Sequence, residues 1–131
     1  MSHITKIETQ ITDLDVAERA LVDLGLDVSR DAELVGWGSR TRALPLACIR
    51  LPSGDFGVGL QLAANGTYEV VSDWWYVEKQ AGVGRDDLLS KLCQRYSYLK
   101  VKEALDQHGF RIAEESVDDQ KSIRLEVVKW R

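Results

Sequence analysis

Polar and apolar residues alternate with a period of two near the start of the chain. Within residues 3–11, one face carries Ile7, Thr9 and Ile11, and the other face carries Lys6, Glu8 and Gln10. This pattern predicts a half-buried β-strand. The apolar residues that follow recur at helical spacing, Thr12 or Asp13 can cap the helix, and Gly25 can end it. The first 25 residues therefore predict a strand followed by an amphipathic helix.

The middle of the chain predicts a run of strands joined by short turns. Residues 45–51 and 55–62 are apolar runs separated by a Pro-Ser-Gly turn, and Asn65-Gly66 leads into a third run at 67–72. Strands with such short connections must be antiparallel neighbours, because parallel pairing needs a long crossover. Residues 26–44 carry a weaker pattern, which the glycines there interrupt.

The last third of the chain predicts a long helix and two further strands. A loop over 73–84 precedes a helix over about 85–108, which two aspartates open and Gly109 closes. Strands at 110–116 and 122–129 follow, joined by a polar turn. Strands and helices in this order predict a single α+β domain over residues 1–131. We expect one mainly antiparallel sheet with two helices on one face, in a ferredoxin-like core with inserted strands.

The long helix carries two apolar stripes. One stripe, which includes Leu92 and Tyr96, suits packing on a sheet. Tyr98, Val101 and Leu105 form a second stripe on a different side of the helix. A wide or kinked buried face explains the second stripe, and so does an interface with another chain or with a second copy in a homodimer.

Three consecutive aromatic residues, Trp74, Trp75 and Tyr76, begin the predicted loop. Adjacent strand residues point to opposite faces, so both tryptophans enter one core only if the strand ends there. An exposed tryptophan would be an anchor for a protein partner. The alternative is that both tryptophans lie under the loop and close the end of the core.

A pocket between the sheet and the 73–84 loop is the rival hypothesis. Its polar candidates are His3, Asp73 and Arg95, which would bind a small molecule or support an enzymatic reaction. A cleft that gathers these three side chains would favour this hypothesis over a protein-contact surface.

The charge of the chain argues against a nucleic-acid partner and in favour of a protein partner. The 131 residues carry a net charge of −4, the wrong sign for a general phosphate binder. The charge is uneven, because residues 1–35 are acidic and residues 36–50 carry three arginines and no acid. This asymmetry suits docking to a charged protein. No apolar run approaches the roughly 20 residues of a membrane helix, so we expect no membrane contact.

The reactive side chains show no catalytic or metal-binding spacing. Cys48 and Cys93 lie far apart, and the only histidines are His3 and His108. We therefore expect no metal, no cofactor and no enzymatic activity. The start of the chain lacks a secretory signal, and the two cysteines favour a reducing compartment, so we expect a cytoplasmic protein with Cys93 as an inert core thiol.

Several segments together resemble a known family. The segments 1–11, 21–25, 68–75, 94–98 and 109–125 are similar, in the same order, to the hypothetical chloroplast reading frame 35 family, also called domain of unknown function 1257. The resemblance spans nearly the whole chain and is weakest over 26–50.

What the resemblance implies about function is limited. Family members occur in algal plastids, cyanobacteria and other bacteria, and no enzymatic activity or catalytic residue is established for them. Bacterial members tend to be encoded near an AAA-type ATPase, which implies an accessory role in a protein complex. We therefore expect a non-catalytic protein-binding module, which contacts its partner through Trp74, Trp75 and Tyr76, with Tyr98, Val101 and Leu105 as a second patch.

Overall fold

Nine strands and three helices make up the part of the chain that the structure describes. The computed structural model describes residues 4–36, 39–40, 43–120 and 122–129. The strands are β1 (Thr5–Glu8), β2 (Val28–Ala32), β3 (Val35–Gly36), β4 (Ser39–Arg40), β5 (Leu44–Arg50), β6 (Phe56–Leu62), β7 (Tyr68–Ser72), β8 (Phe110–Val117) and β9 (Ile123–Lys129). The helices are α1 (Leu14–Asp23), α2 (Trp74–Ala81) and α3 (Arg85–Gln107).

Five strands form a central sheet in the order β1-β7-β6-β5-β2. Every neighbouring pair in this sheet is antiparallel. The β6–β7 connection closes around Gly66, whose φ of 88° suits glycine, and the Asn65 side chain accepts a hydrogen bond from Thr67 N at 3.1 Å. The β3–β4 pair forms a separate two-residue hairpin beside the sheet.

The centre of the sheet is buried on both faces. Val70 and Val71 are consecutive on β7 and point to opposite faces, yet both are buried. The larger of the two apolar clusters joins the sheet to all three helices. The smaller cluster consists of Leu34, Leu44, Ala47, Phe56 and Val71.

Helix α1 begins where the chain leaves β1. Asp13 is its N-cap and accepts a hydrogen bond from Val16 N at 3.2 Å, and Gly25 follows its last turn with a φ of 82°. Its buried residues are Val16, Ala17, Ala20 and Leu21. These positions recur at helical spacing and place one stripe of α1 in the larger cluster.

The last two strands form a hairpin of their own. β8 pairs with β9 in a two-stranded sheet, and among the described strands neither joins the central sheet. The hairpin packs against α3, which itself packs against α1. The hairpin therefore packs on α3, whereas α3 itself also belongs to the larger cluster with the central sheet.

The α+β fold with mainly antiparallel sheets is confirmed. A ferredoxin-like core is not confirmed, since the two strands after α3 lie outside the central sheet. The prediction of two helices is wrong, because residues 74–81 form a third helix where a loop was expected.

Candidate protein-contact surfaces

The aromatic segment lies on α2. Asp73 is buried and caps this helix by accepting a hydrogen bond from Tyr76 N at 3.2 Å. Gly82 ends the helix in the left-handed conformation, with a φ of 70°. The prediction of a loop over 73–84 missed both of these caps, which are ordinary helix start and stop signals.

The three aromatic residues have different environments on this helix. Trp74 and Tyr76 are half-buried and pack against the larger apolar cluster, whereas Trp75 is 45% exposed. The indole Nε1 of Trp74 is buried and has no hydrogen-bond partner among the described residues. The core therefore holds two of the rings and leaves Trp75 at the surface.

A glycine in β6 lets α2 lie directly against the sheet. Val77 is fully buried, and a Cβ atom on Gly57 would lie only 2.7 Å from its Cγ2. Any larger residue at position 57 would force the Val77 side chain, or the helix or strand around it, to move. The close contact fixes the position of α2 and therefore of Trp75.

A cation covers part of the exposed ring. Lys79 lies one helical turn after Trp75, and its Nζ is 4.8 Å from the ring centroid. A cation–π contact at an exposed site contributes about 0.5–1 kcal/mol. Sequence reasoning missed Lys79 because the i, i+4 spacing of this pair has meaning only on a helix.

The segment 94–98 of α3 binds the helix to α1. Arg95 Nε donates to Asp23 Oδ2 at 2.8 Å. The Tyr96 hydroxyl accepts hydrogen bonds from Thr12 N and Asp13 N, both at 3.1 Å. These contacts supply partners to backbone groups at the start of α1, which a helix cannot pair internally.

The same segment binds the hairpin on its other side. The Tyr98 hydroxyl donates to Glu115 Oε2 at 2.6 Å, and this hydrogen bond raises the pKa of Tyr98 above its usual value. The Arg95 guanidinium lies 4.6 Å from the Tyr98 ring centroid. Tyr98 is thus buried beneath the chain's own hairpin and is not exposed to a partner.

The rest of the second stripe borders two grooves between α3 and the hairpin. A groove of about 610 Å³ runs along β8 and includes Leu105 and Arg19 in its lining. A groove of about 360 Å³ runs along β9 and is lined by Val101, Tyr98 and other residues of α3 and β9. Val101 remains 46% exposed at this second groove.

The residues of the rival pocket have different positions in the fold. His3 lies outside the described residues. Asp73 caps α2, while Arg95 pairs with Asp23 between α3 and α1. Both described grooves lie between α3 and the hairpin, not between the sheet and residues 73–84.

Several charges of the acidic and basic segments form ion pairs within the chain. Arg30 contacts Asp15 at 2.7 Å and Glu18 at 3.1 Å, and these hydrogen bonds raise its pKa. Arg50 contacts Asp27 at 3.5 Å. The side chains of Arg40 and Arg42, the other arginines of the basic segment, lie outside the described residues. Acidic residues near the N-terminus thus have cationic neighbours within the same chain.

The two thiols differ in accessibility. Cys48 is buried on β5, and burial raises its pKa to about 12. Cys93 is exposed on α3, so the expectation of a core position for this thiol is wrong, although partial burial raises its pKa. Because Cys93 lies on the edge of the apolar stripe of the helix, the sequence did not determine whether it faces the core or solvent. The structure places it toward solvent.

Neither a metal-binding cluster nor a membrane-spanning helix occurs within the described ranges. No group of three or more His, Cys, Asp or Glu side chains within them is arranged to hold a metal ion. Within these same ranges, no helix combines the length and the apolar character that crossing a bilayer requires.

The chain belongs to the family described as "Protein of unknown function (DUF1257)", whose model matches residues 20–126. This confirms the family resemblance predicted from the sequence. The matched region includes α2, α3 and almost all of the hairpin, so the surfaces described above lie within the family's shared part.

The curated relatives match over their whole length. An uncharacterized protein ycf35 of Guillardia theta is 29% identical over 134 residues, which cover 100% of this chain and 99% of the relative. A protein of the same name from Pyropia yezoensis is 29% identical and covers 99% of this chain and 98% of its own. The Cyanophora paradoxa protein of that name is 26% identical over 100% of this chain and 99% of its own. No solved structure matches the chain with statistical significance.

Proposed function

We propose that the protein is a non-catalytic accessory module that binds another protein through the exposed side of α2. The observation that carries this proposal is Trp75, which is 45% exposed on a helix whose neighbouring rings pack into the core. Tryptophan is enriched among the residues that dominate binding energy at protein interfaces. Trp75 is therefore the proposed anchor, with Trp74 and Tyr76 supporting it from below.

The rigidity of α2 supports this role. Asp73 caps the helix, Gly57 admits Val77 close to β6, and Lys79 lies over the Trp75 ring. An aromatic side chain that is already oriented loses less conformational entropy when it binds. A partner would thus meet a preformed surface.

The local roles of several ionisable groups support a non-catalytic function. The Cys48 thiol is buried with its pKa raised to about 12, which disfavours the nucleophilic thiolate at neutral pH. Asp13 and Asp73 cap helices, and Asp23 pairs with Arg95. These side chains have structural partners that account for their positions.

The proposed place of action is a protein complex in the cytoplasm. Cys48 and Cys93 are both free thiols, as a reducing compartment favours. The family resemblance suggests an AAA-type ATPase system as the first partner to test. Trp75 would be the contact through which such a partner recognises this chain.

The test compares two exposed apolar side chains. Tagged wild-type protein, Trp75→Ala and the control Leu62→Ala are each purified from the native host, and the proteins that co-purify are identified by mass spectrometry. Leu62 is 58% exposed at the end of β6, away from α2. We expect Trp75→Ala to weaken capture of a specific protein by about 30-fold, as an interface hot spot of 2 kcal/mol predicts.

The control distinguishes binding from folding. Leu62→Ala should capture the same protein as the wild type, and all three proteins should have the same circular dichroism spectrum and melting temperature. The proposal fails if Trp75→Ala captures the same proteins as the wild type, or if its weaker capture is explained by unfolding.

A small-molecule site is the second candidate function. It is favoured by a cavity other than the predicted pocket between the sheet and residues 73–84. The groove along β8 has a volume of about 610 Å³, within the range of ligand-binding pockets. Lys102 and Arg111 line it together with Glu114. Ligand-observed NMR with a library of small acids and bases tests this candidate, since a true ligand should lose affinity in Lys102→Ala but not in Trp75→Ala.

A further inference from the structure

The β8–β9 hairpin stands apart from the central sheet. A two-stranded sheet by itself is marginally stable in water, and α3 supplies the surface against which this one packs. Among the described strands, none pairs with the outer edge of β8 or with that of β9. Each outer edge therefore presents backbone N–H and C=O groups that a further strand could pair.

The two edges differ in their ability to accept a strand. β8 contains a register shift between Ile112 and Glu114, which is a common way to protect an edge from pairing. The groove beside β8 also includes Arg19 of α1. β9 has seven consecutive residues without proline, and only residues of α3 and of the chain leading into β9 accompany it in its own groove. The edge of β9 is thus the more accessible one.

The two faces of β9 have opposite character. Ile123, Leu125 and Val127 alternate along the face toward α3, where Ile123 and Leu125 line the groove. Arg124 and Glu126 are exposed on the other face. Val127 is 40% exposed although it belongs to the apolar face, so α3 of the same chain covers that face incompletely.

We propose that two copies of this chain associate by antiparallel pairing of β9 with β9. When Leu125 lies opposite Leu125 of the second copy, Ile123 lies opposite Val127 on the apolar face. In the same register Arg124 lies opposite Glu126 of the second copy, and the symmetry repeats each contact. Opposite charges and apolar pairs that face each other across strands both stabilise a sheet.

The neighbouring registers that keep the faces matched are unfavourable. A shift of the symmetry axis by one residue places Arg124 opposite Arg124, or Glu126 opposite Glu126. Like charges directly opposite each other destabilise strand pairing. Of these three registers, the sequence of β9 therefore favours the one centred on Leu125.

The pairing also covers the groove beside β9. A four-stranded sheet in the order β8-β9-β9-β8 carries the α3 helices of both copies on one face. The second α3 then lies along the groove that contains Val101, which is 46% exposed in the single chain. This surface is separate from α2, so the dimer leaves Trp75 accessible.

Charge reversal and charge exchange test the register. The full-length chain, Arg124→Glu, Glu126→Arg and the double variant are compared by sedimentation equilibrium. Within the hairpin Arg124 lies opposite Ser116 and Glu126 lies opposite Glu114, so neither single change creates a like-charge pair directly across the hairpin. Each single change nevertheless creates two like-charge contacts in the proposed dimer.

We expect the wild type to sediment as a dimer of the 14.7 kDa chain. Each single variant should weaken dimerisation by about 10-fold or more, and the double variant should restore it, because it exchanges the two charges. Trp75→Ala serves as the control and should dimerise as the wild type does.

Three results would each overturn the proposal, and the second and third both concern the variants. The first is a wild-type chain that stays monomeric at every concentration up to its solubility limit. The second is a dimer that both single variants leave intact, and the third is a dimer that the double variant fails to restore. Circular dichroism of each variant establishes that the chain is folded, so a loss of dimer cannot come from unfolding.

Discussion

Single side chains account for much of how α3 is held in place. Tyr96 illustrates this, because its hydroxyl is the partner of two backbone N–H groups at the start of α1. The ring is buried in the larger apolar cluster. The residue thus adds a specific polar contact to what the apolar pattern alone predicts as core.

Tyr96→Phe should destabilise the protein without changing its fold. The ring stays in place, but Thr12 N and Asp13 N lose their acceptor, which costs about 1–3 kcal/mol. Urea unfolding measures this difference. Tyr68→Phe is the matched control, since Tyr68 is a half-buried tyrosine that packs against the same cluster. Equal stability of the two variants would contradict the assigned role.

The two thiols should react at different rates. Cys48 is buried with its pKa raised to about 12, whereas Cys93 is exposed. Titration of the native protein with Ellman's reagent at neutral pH should therefore label one thiol, and titration in denaturant should label both. Cys93→Ser should abolish the native reaction. Rapid labelling of Cys48 in the folded Cys93→Ser variant would contradict the burial.

At the scale of elements, the periodic segments could be predicted and α2 could not. The patterns over 14–24 and 85–108 indicate helices, and the structure has α1 and α3 there. The segment 73–81 has no long amphipathic pattern, and its helix is defined by the Asp73 cap and by Gly82. The two adjacent tryptophans were interpreted as the end of a strand. The helix-capping residues Asp73 and Gly82 were therefore not recognised as such.

The close approach of α2 to β6 is equally invisible in the sequence. It depends on a contact between Gly57 and Val77, which are far apart along the chain. The secondary-structure propensities around Gly57 and Val77 do not indicate that these two residues are in contact. The position of the candidate contact surface is therefore a tertiary property.

Gly57→Ala should displace α2. The added Cβ would lie 2.7 Å from Val77 Cγ2, and such overpacking costs about 1–3 kcal/mol. Urea unfolding monitored by tryptophan fluorescence measures the effect. Gly84→Ala is the control, because a Cβ at that position meets nothing within 4 Å. If both variants are as stable as the wild type, α2 does not depend on this contact.

Tyr98→Phe should loosen the hairpin and leave the central sheet unchanged. The variant removes the hydrogen bond to Glu115, which ties β8 to α3. Hydrogen exchange followed by mass spectrometry should show faster exchange over 110–129 and unchanged exchange over 44–72. Faster exchange throughout the chain would instead indicate a global loss of stability.

At the scale of the molecule, fold class could be predicted from the sequence, but topology could not. Short turns dictate the β5–β6–β7 meander, and the structure has it. No local sequence pattern indicates whether β8 and β9 pair with the central sheet, because their pairing depends on long-range packing. The ion-pair partners of Arg30, Arg50 and Arg95 are likewise not evident from the sequence, since each of these arginines lies beside an acid that is distant along the chain.

The candidate site is predictable only in part. An exposed tryptophan at 74–75 is one of two alternatives that the sequence leaves open, and the structure selects Trp75. The burial of Tyr98 by the hairpin is not evident from the sequence. The second helical stripe had two explanations, and the structure shows the chain's own hairpin covering part of it. Val101 is the member of that stripe that remains most exposed.

The most direct test of protein binding through α2 is site-specific cross-linking in the native host. A benzoylphenylalanine replaces Trp75 in one strain and Leu62 in another, and both are irradiated. The account predicts a discrete cross-linked protein from position 75 and none from position 62. Leu92→Ala, which loses about 2–5 kcal/mol as a core deletion, shows in parallel how a merely unstable chain behaves. A folded chain that yields no cross-link at position 75, or the same products from both positions, would contradict the account.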